Sequence, residues 1–263
     1  MTPRVSIVIR TKDEAEHLGG VLDSLERQTV RAPEAETILV DSGSTDDTVA
    51  IARRHGARII EIAPEEFTFG RALNIGSEAA AAPVIVALSG HAYPPDDAWL
   101  ERMLGWFEDE RVACATGAGN TPAGEPLTEP ILQDEALVRR HPYWGFSNAA
   151  GGYRTDLWRE RPFREDMPGT EDKEWAWHWL TRGRLVAIDP TLATDHDHTR
   201  DHPLDTYRRA RREWRGFRMY LDVPPLTVRE LLDRQRTNDD WKLRIHPSVW
   251  ASLAGEYVER RRR

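Results

Sequence analysis

Short apolar runs alternating with helical patterns govern what the first third of this chain can fold into. Val5-Ser6-Ile7-Val8-Ile9, Thr37 to Val40, Arg58 to Ile62 and Val84-Ile85-Val86-Ala87-Leu88 each read as a strand. Between them, Ala15, Leu18, Val21, Leu22 and Leu25 recur at helical spacing. Ser44-Thr45-Asp46-Asp47 supplies a cap and first-turn acids for a helix that Gly56 can end, and the segment from Arg71 to Ala80 reads as a further helix. The run Val84 to Leu88 is apolar at every position, the pattern of a strand buried on both faces of a parallel sheet. The plan is a repeated βαβ unit with right-handed crossovers, so the fold class is α/β.

In such sheets ligands bind beyond the carboxyl ends of the strands. The residues there are polar: Arg10-Thr11-Lys12-Asp13-Glu14, Asp41-Ser42-Gly43-Ser44 and Ser89-Gly90-His91. None of these turns has the Gly-x-Gly-x-x-Gly spacing of a dinucleotide cradle, which disfavours a dinucleotide enzyme. Asp41 is placed either to accept hydrogen bonds from a nucleotide or to organise its own Asp-Ser-Gly-Ser-Thr-Asp turn. His91 reads as a metal ligand or as a polar loop residue. In Asp195-His196-Asp197-His198, alternation in an extended chain places His196 and His198 on one face; a metal or phosphate site and a surface turn are both open. Arg71 and Asn74 stand one turn apart at a helix start, where a guanidinium and backbone amides suit a diphosphate and an exposed ligand-free arginine is the alternative. Glu171 and Asp172 open a helix whose apolar side carries Trp175, Trp177 and Trp179; they read as dipole-favoured first-turn acids or as a pair containing a general base.

Composition narrows the classes of function. A formal charge of −8 over 263 residues argues against a general nucleic-acid binder. Basic residues nevertheless crowd the far end, from Arg208 to Arg218 and again from Arg260 to Arg263. They suggest either peripheral contact with an anionic membrane or polyanionic acceptor, or a solvated helix face and frayed tail. No run of eighteen apolar residues occurs, so neither a membrane span nor a signal peptide is expected, and a cytoplasmic or membrane-peripheral location is expected. The single cysteine, Cys114, lies in an apolar stretch and is expected to be a buried thiol. Gly117 to Tyr143, rich in Gly, Pro and Glu, reads as a long mobile loop. Leu185 to Ile188 reads as a strand, Trp175 to Leu180 as a helix, and the chain from Pro203 onward as helices.

In order and spacing, Val5 to Glu14, Ile38 to Thr48, Phe67 to Gly76, Leu88 to Pro94, Phe146 to Ala150, Gly169 to Trp175 and Asp189 to His198 together resemble the family 2 glycosyltransferases, nearest their rhamnosyltransferase-like members. The resemblance implies a GT-A (Rossmann-like) central mixed sheet flanked by helices, with a helical C-terminal extension. It divides the chain into a catalytic domain over 1–200, with a donor half of about 1–95 and an acceptor half of about 96–200, and an extension over 201–263. The implied activity is inverting transfer of a hexosyl or deoxyhexosyl group from a nucleotide-diphosphate sugar to an acceptor hydroxyl, in carbohydrate biosynthesis. Thr11, Glu14 and Asp41 would hold the nucleoside, Arg71 and Asn74 would lie toward the diphosphate, and Asp172 beside Glu171 would be the base. His91, His196 and His198 would supply metal or diphosphate contacts. Where the family has an Asp-x-Asp motif, this chain has Ser89-Gly90-His91, which makes the expected Mn²⁺ or Mg²⁺ cofactor the least secure element, since imidazole suits softer ions than Mg²⁺. A sugar-nucleotide-binding protein without turnover and a nucleotidyltransferase are the rival readings; the second lacks its glycine-rich loop after the first strand.

Overall fold

A computed structural model describes residues 2–195, 202–236 and 246–262. The chain divides into two compact units: Met1–Asp166 with Glu171–His196, and Met167–Thr170 with Asp197–Arg263.

The first unit is built on an eight-stranded sheet. Its strands are β1 (Val5–Thr11), β2 (Ala35–Asp41), β3 (Arg58–Glu61), β4 (Val84–Ser89), β5 (Val112–Gly117), β6 (Ile131–Leu132), β7 (Ala150–Arg154) and β8 (Leu185–Asp189), in the order β3-β2-β1-β4-β7-β5-β8-β6. The four strands read from the sequence form its parallel half: β1 pairs with both β2 and β4, and β2 with β3, all parallel. β7 then inserts antiparallel between β4 and β5, β8 runs parallel to β5, and β6 antiparallel to β8. The sheet is therefore mixed.

Both faces are covered, which explains the unbroken apolar runs. Val5, Ile7, Ile9, Val84, Val86 and Leu88 pack into one core with α1 (Ala15–Glu26), α2 (Thr48–Arg54) and α4 (Trp99–Gly105). Their neighbours Val8, Ile85 and Ala87 point the other way, into a core with α3 (Phe69–Glu78), α6 (Thr155–Glu160) and α7 (Glu171–Leu180). Gly76 makes the second packing possible: a Cβ there would lie 2.3 Å from Val8 Cγ1 and 3.1 Å from Val40 Cγ2, so α3 approaches the sheet more closely than any side chain permits.

Two expectations need correction. The stretch from Gly117 to Tyr143 is not a structureless loop. It contains β6 and α5 (Glu135–Arg140), whose first turn is capped by Asp134 Oδ1 accepting from Leu137 N–H at 2.7 Å. Gln133 N–H donates to Val186 O at 2.9 Å and its Nε2 to Trp144 O at 3.0 Å, which ties both sides of the segment down. On α7 the three tryptophans do not share a face. Trp175 and Trp179, four residues apart, are buried, whereas Trp177 is half-buried with the Arg139 guanidinium 4.8 Å from its ring centre.

In the second unit, α8 (Pro203–Phe217) packs on α10 (Pro247–Arg260), with α9 (Val228–Arg236) between them in the chain. Gly255 permits the contact, since a Cβ there would lie 2.7 Å from Tyr207 O.

Candidate active site

The carboxyl ends of β1, β2 and β4 carry Thr11, Asp41 and Ser89 side by side, as the parallel register Thr11↔Asp41 and Arg10↔Ser89 requires. Asp41 is 2% exposed, and its carboxylate is fully engaged. Oδ2 accepts from Gly43 N–H at 3.0 Å and Ser44 N–H at 2.9 Å, while Oδ1 accepts from Ser44 Oγ at 2.5 Å and Thr11 Oγ1 at 3.3 Å. Gly43 has φ +84, the left-handed conformation this tight turn demands and glycine supplies. Asp41 is thus an organiser of the strand-end loop, with Thr11 as its support. The facing loop is locked on by Asp13 Oδ1, which accepts from Thr45 N–H at 2.7 Å, and by Thr48 Oγ1, which accepts from Glu14 N–H at 2.8 Å.

Glu14 and His91 come together although 77 residues separate them. Nδ1 of His91 lies 2.8 Å from Glu14 Oε1, and Ser89 Oγ lies 3.4 Å from the ring. Gly90 is needed here, because a Cβ on it would meet Glu14 Cγ at 3.0 Å and Thr11 Cγ2 at 3.1 Å. An imidazole nitrogen beside a carboxylate oxygen offers one nitrogen and one oxygen donor; the carboxylate suits Mn²⁺, and the imidazole suits softer divalent ions. His196 and His198 lie outside the described residues.

The acidic pair at the head of α7 has two distinct environments. Asp172 is held by backbone: Oδ1 accepts from Lys173 N–H at 2.7 Å and Oδ2 from Asn148 N–H at 3.1 Å. Lys173 Nζ donates to Phe146 O at 3.0 Å and fixes the same loop. Glu171 is 3% exposed and lies 3.4 Å from Arg10 Nη1, which also donates to Phe69 O at 3.3 Å. Burial, and then the negative charge of Asp172, push the Glu171 carboxyl up to about 7, against the opposing pull of Arg10. Below the pair, the Trp175 ring centre lies 5.8 Å from that of Tyr153 and 5.6 Å from that of Phe163, both tilted, and its Nε1 donates to Arg161 O at 2.7 Å. That cluster fixes where α7 begins.

Arg71 and Asn74 sit apart from these groups. The Asn74 amide is used at both ends: Nδ2 donates to Phe163 O and Glu165 Oε1, and Oδ1 accepts from Phe163 N–H and Trp158 Nε1. It secures the loop after α6 and keeps no donor or acceptor for a diphosphate. Arg71 is about 39% exposed and faces Glu66 and Glu165 at 3.7 and 3.6 Å; its N–H is taken by the cap Thr68 Oγ1. Sequence reasoning passed over Arg10 and Asn148. Arg10 carried a signal, a cation directly after β1, whereas Asn148 is brought in through β7, which no pattern announced. Cys114 is buried as expected, and desolvation raises its thiol well above the ordinary range.

Elsewhere in the first unit, Asp23, Glu26 and His55 form another group of potential metal ligands, with His55 Nδ1 2.7 Å from Glu26 Oε1. Glu26 and His55 border a cavity of about 400 Å³ also lined by Ala35, Glu36 and Arg58, at the sheet edge where β2 and β3 begin. This is the edge opposite the strand ends that carry Thr11 and Asp41.

Fold and site together define an α/β protein with an acidic pair beside its strand ends. The family model for glycosyl transferase family 2 matches residues 6–161, more than half the chain, and the protein belongs to that family. Glu171 and Asp172 lie beyond the matched stretch. Among curated proteins, glycosyltransferase AglE of Haloferax volcanii is 34% identical over 104 residues, 38% of this chain and 34% of its own. The O-antigen chain rhamnosyltransferase WbaN of Salmonella anatum is 36% identical over 84 residues, 32% of this chain and 27% of its own. The matches therefore span about a third or less of those relatives' lengths. A mannosyltransferase from Pyrobaculum calidifontis, solved with GDP-Man and Mn²⁺, superposes with a TM-score of 0.65 at 18% identity, covering 98% of this chain and 70% of that one. S. aureus TarS with UDP-GlcNAc gives 0.60 at 17%, covering 88% and 70%. At these identities the likeness establishes the fold, which is GT-A. Among the described residues no helix is long and apolar enough to cross a membrane.

Proposed function

We propose that this chain is an inverting glycosyltransferase that moves a sugar from a nucleoside-diphosphate donor to an acceptor hydroxyl, with Asp172 as the base. The observation that carries the reading is the divided environment of the acidic pair. Asp172 accepts two backbone N–H bonds, which fix its direction. Its neighbour Glu171 is buried, shares the negative field and is the member that takes up a proton near neutral pH. Asp172 is thus the backbone-oriented member of the pair, while Glu171 is held against Arg10.

In the single displacement, the acceptor oxygen attacks the anomeric carbon from the face opposite the diphosphate. A carbon–oxygen bond to the acceptor forms, the bond to the β-phosphate oxygen breaks, and the hydroxyl proton passes to Asp172. Thr11, Asp41 and the loop they organise bound the nucleoside side, and Arg71, released from its two loose carboxylate partners, would turn to the diphosphate. Glu14 and His91 would hold a divalent cation. Such an ion supplies Lewis-acid stabilisation of the departing diphosphate. The mannosyltransferase complex that holds GDP-Man and Mn²⁺ on the same fold supports the donor class and the choice of Mn²⁺. The WbaN and AglE relatives support a role in glycan assembly; a deoxyhexose or hexose is the sugar class proposed.

The test is a panel of UDP-, GDP- and dTDP-linked sugars, each with and without Mn²⁺, read by thermal shift and by release of nucleoside diphosphate. One nucleotide should raise the unfolding temperature, because a ligand that binds only the folded state stabilises it, and its sugar conjugate should be hydrolysed slowly. Binding without any release would favour the inactive binding protein. No response to any nucleotide would refute the reading.

A further inference from the structure

The second unit carries a feature that sugar transfer does not use. Arg208, Arg211, Arg212 and Arg215 stand at i, i+3, i+4 and i+7 on α8, and among the described residues these four line a concavity of about 190 Å³. That spacing puts all four guanidinium groups on one stripe of the helix. Arg208, Arg212 and Arg215 are exposed, and Arg211 is half-buried.

Among the described residues, two acids pair with the stripe. Asp205 lies 3.3 Å from Arg208, and Glu259 on α10 accepts from Arg211 at 2.7 Å while also serving Arg262 at 3.3 Å. Among the described residues, Arg215 has no acidic partner. Arg211 is further fixed with its guanidinium 5.7 Å from the Tyr207 ring centre, and Arg212 Nε would lie 3.3 Å from a Cβ on Gly169. A merely solvated helix face distributes both signs along itself, because like charges at i and i+4 repel. Here Arg208 faces Arg212, and Arg211 faces Arg215, around the same hollow.

We infer that this four-arginine cleft is a binding site for a phosphate group, either a free phosphorylated molecule or the headgroup of an anionic lipid. Planar guanidinium groups match the oxygen spacing of phosphate and bind it in pairs of parallel hydrogen bonds, and they keep their charge at every physiological pH. The volume accommodates one such group. The inference rests on the second unit alone and stands whether or not the sugar-transfer reading holds.

The experiment compares the wild-type chain with an Arg208→Gln/Arg212→Gln/Arg215→Gln variant and, should that variant not fold by circular dichroism, with Arg215→Gln alone. Inorganic phosphate is titrated by calorimetry, and phosphatidylcholine vesicles with and without phosphatidic acid are used in co-sedimentation. Wild type should bind at least one probe, with affinity lowered about tenfold or more by the substitutions, the loss of a charged hydrogen-bonding pair. Retention on phosphatidic-acid vesicles with weak binding of free phosphate identifies the lipid source; strong binding of free phosphate identifies a soluble one. A wild-type chain that binds neither probe, or a folded variant that binds both as tightly as wild type, overturns the inference.

Discussion

Nδ1 of His91 lies 2.8 Å from Oε1 of Glu14, so the histidine that stands where the family resemblance calls for an aspartate is paired with a carboxylate from the other side of the strand-end cleft. The missing negative charge is thereby present, delivered by β1's following loop instead of β4's. If the two act as one cation site, His91→Ala and Glu14→Gln should each weaken Mn²⁺ binding in the presence of nucleoside diphosphate by about tenfold. The double variant should be little worse than either single one, because coupled ligands are not additive. Calorimetric titration of Mn²⁺ decides it, and two independent, fully additive losses would separate the residues into different roles.

Asp172→Asn keeps the size of the side chain and one of its two acceptors for backbone N–H while removing the base. Turnover should fall about a hundredfold or more with donor affinity nearly unchanged. Steady-state kinetics with the donor found in the nucleotide panel provides the measurement. Near-normal turnover would shift the base to Glu171.

Asp41→Ala should damage the protein before it damages chemistry. The carboxylate holds two backbone N–H groups and two hydroxyls of its own loop while almost fully buried. Leaving those donors unpaired costs about 2–4 kcal/mol. Thermal unfolding should register that loss together with weaker nucleotide binding, and an unchanged melting temperature would return Asp41 to a purely ligand-facing role.

How much of this was legible in the sequence follows from what kind of information each feature needs. The parallel half of the sheet was readable because β1 and β4 are buried on both faces and therefore apolar at almost every position. β7 was not, since Ala150-Gly151-Gly152-Tyr153-Arg154 has neither alternation nor branched residues. Its glycines are set by neighbours: a Cβ on Gly151 would meet Ser147 O at 2.4 Å, and one on Gly152 would meet Met103 Sδ at 2.9 Å. Those are tertiary facts. The same holds in the site. Position after a strand picked out Asp41, Glu14 and His91, but whether a carboxylate turns to its own loop or to a ligand depends on donors that only the fold brings near. Asn74 illustrates the limit, because the groups that consume its amide belong to residues 158–165.

Gly76→Ala tests the packing of α3. The added methyl would overlap Val8 Cγ1 and press on Val40 Cγ2, both in strands that cannot recede. Ala is the better helix former by about 1 kcal/mol, so an exposed site would be stabilised. Overpacking costs about 1–3 kcal/mol, and here it should win. A lower midpoint in urea with an unchanged slope is the expected result.

The last prediction concerns pH and Glu171. Its carboxyl titrates near 4.5 when unfolded and is pushed up to about 7 in the folded chain by burial and by Asp172. The folded state therefore binds the proton more tightly than the unfolded state does. Stability from this group is fully present below pH 4.5, declines as pH rises through the interval from 4.5 to about 7, and is constant above it. A shift of this size corresponds to at most about 3 kcal/mol across the interval, and Arg10 already opposes it. Glu171→Gln is neutral throughout, so it should remove this downward contribution. Urea unfolding of both chains at several pH values between 4.5 and 8 gives the comparison. The difference in stability, variant minus wild type, should rise with pH up to about 7 and then level off. A difference that is flat across that range, or that falls, would mean that Glu171 is held ionised by Arg10 at all these pH values and that the division of roles within the acidic pair is wrong.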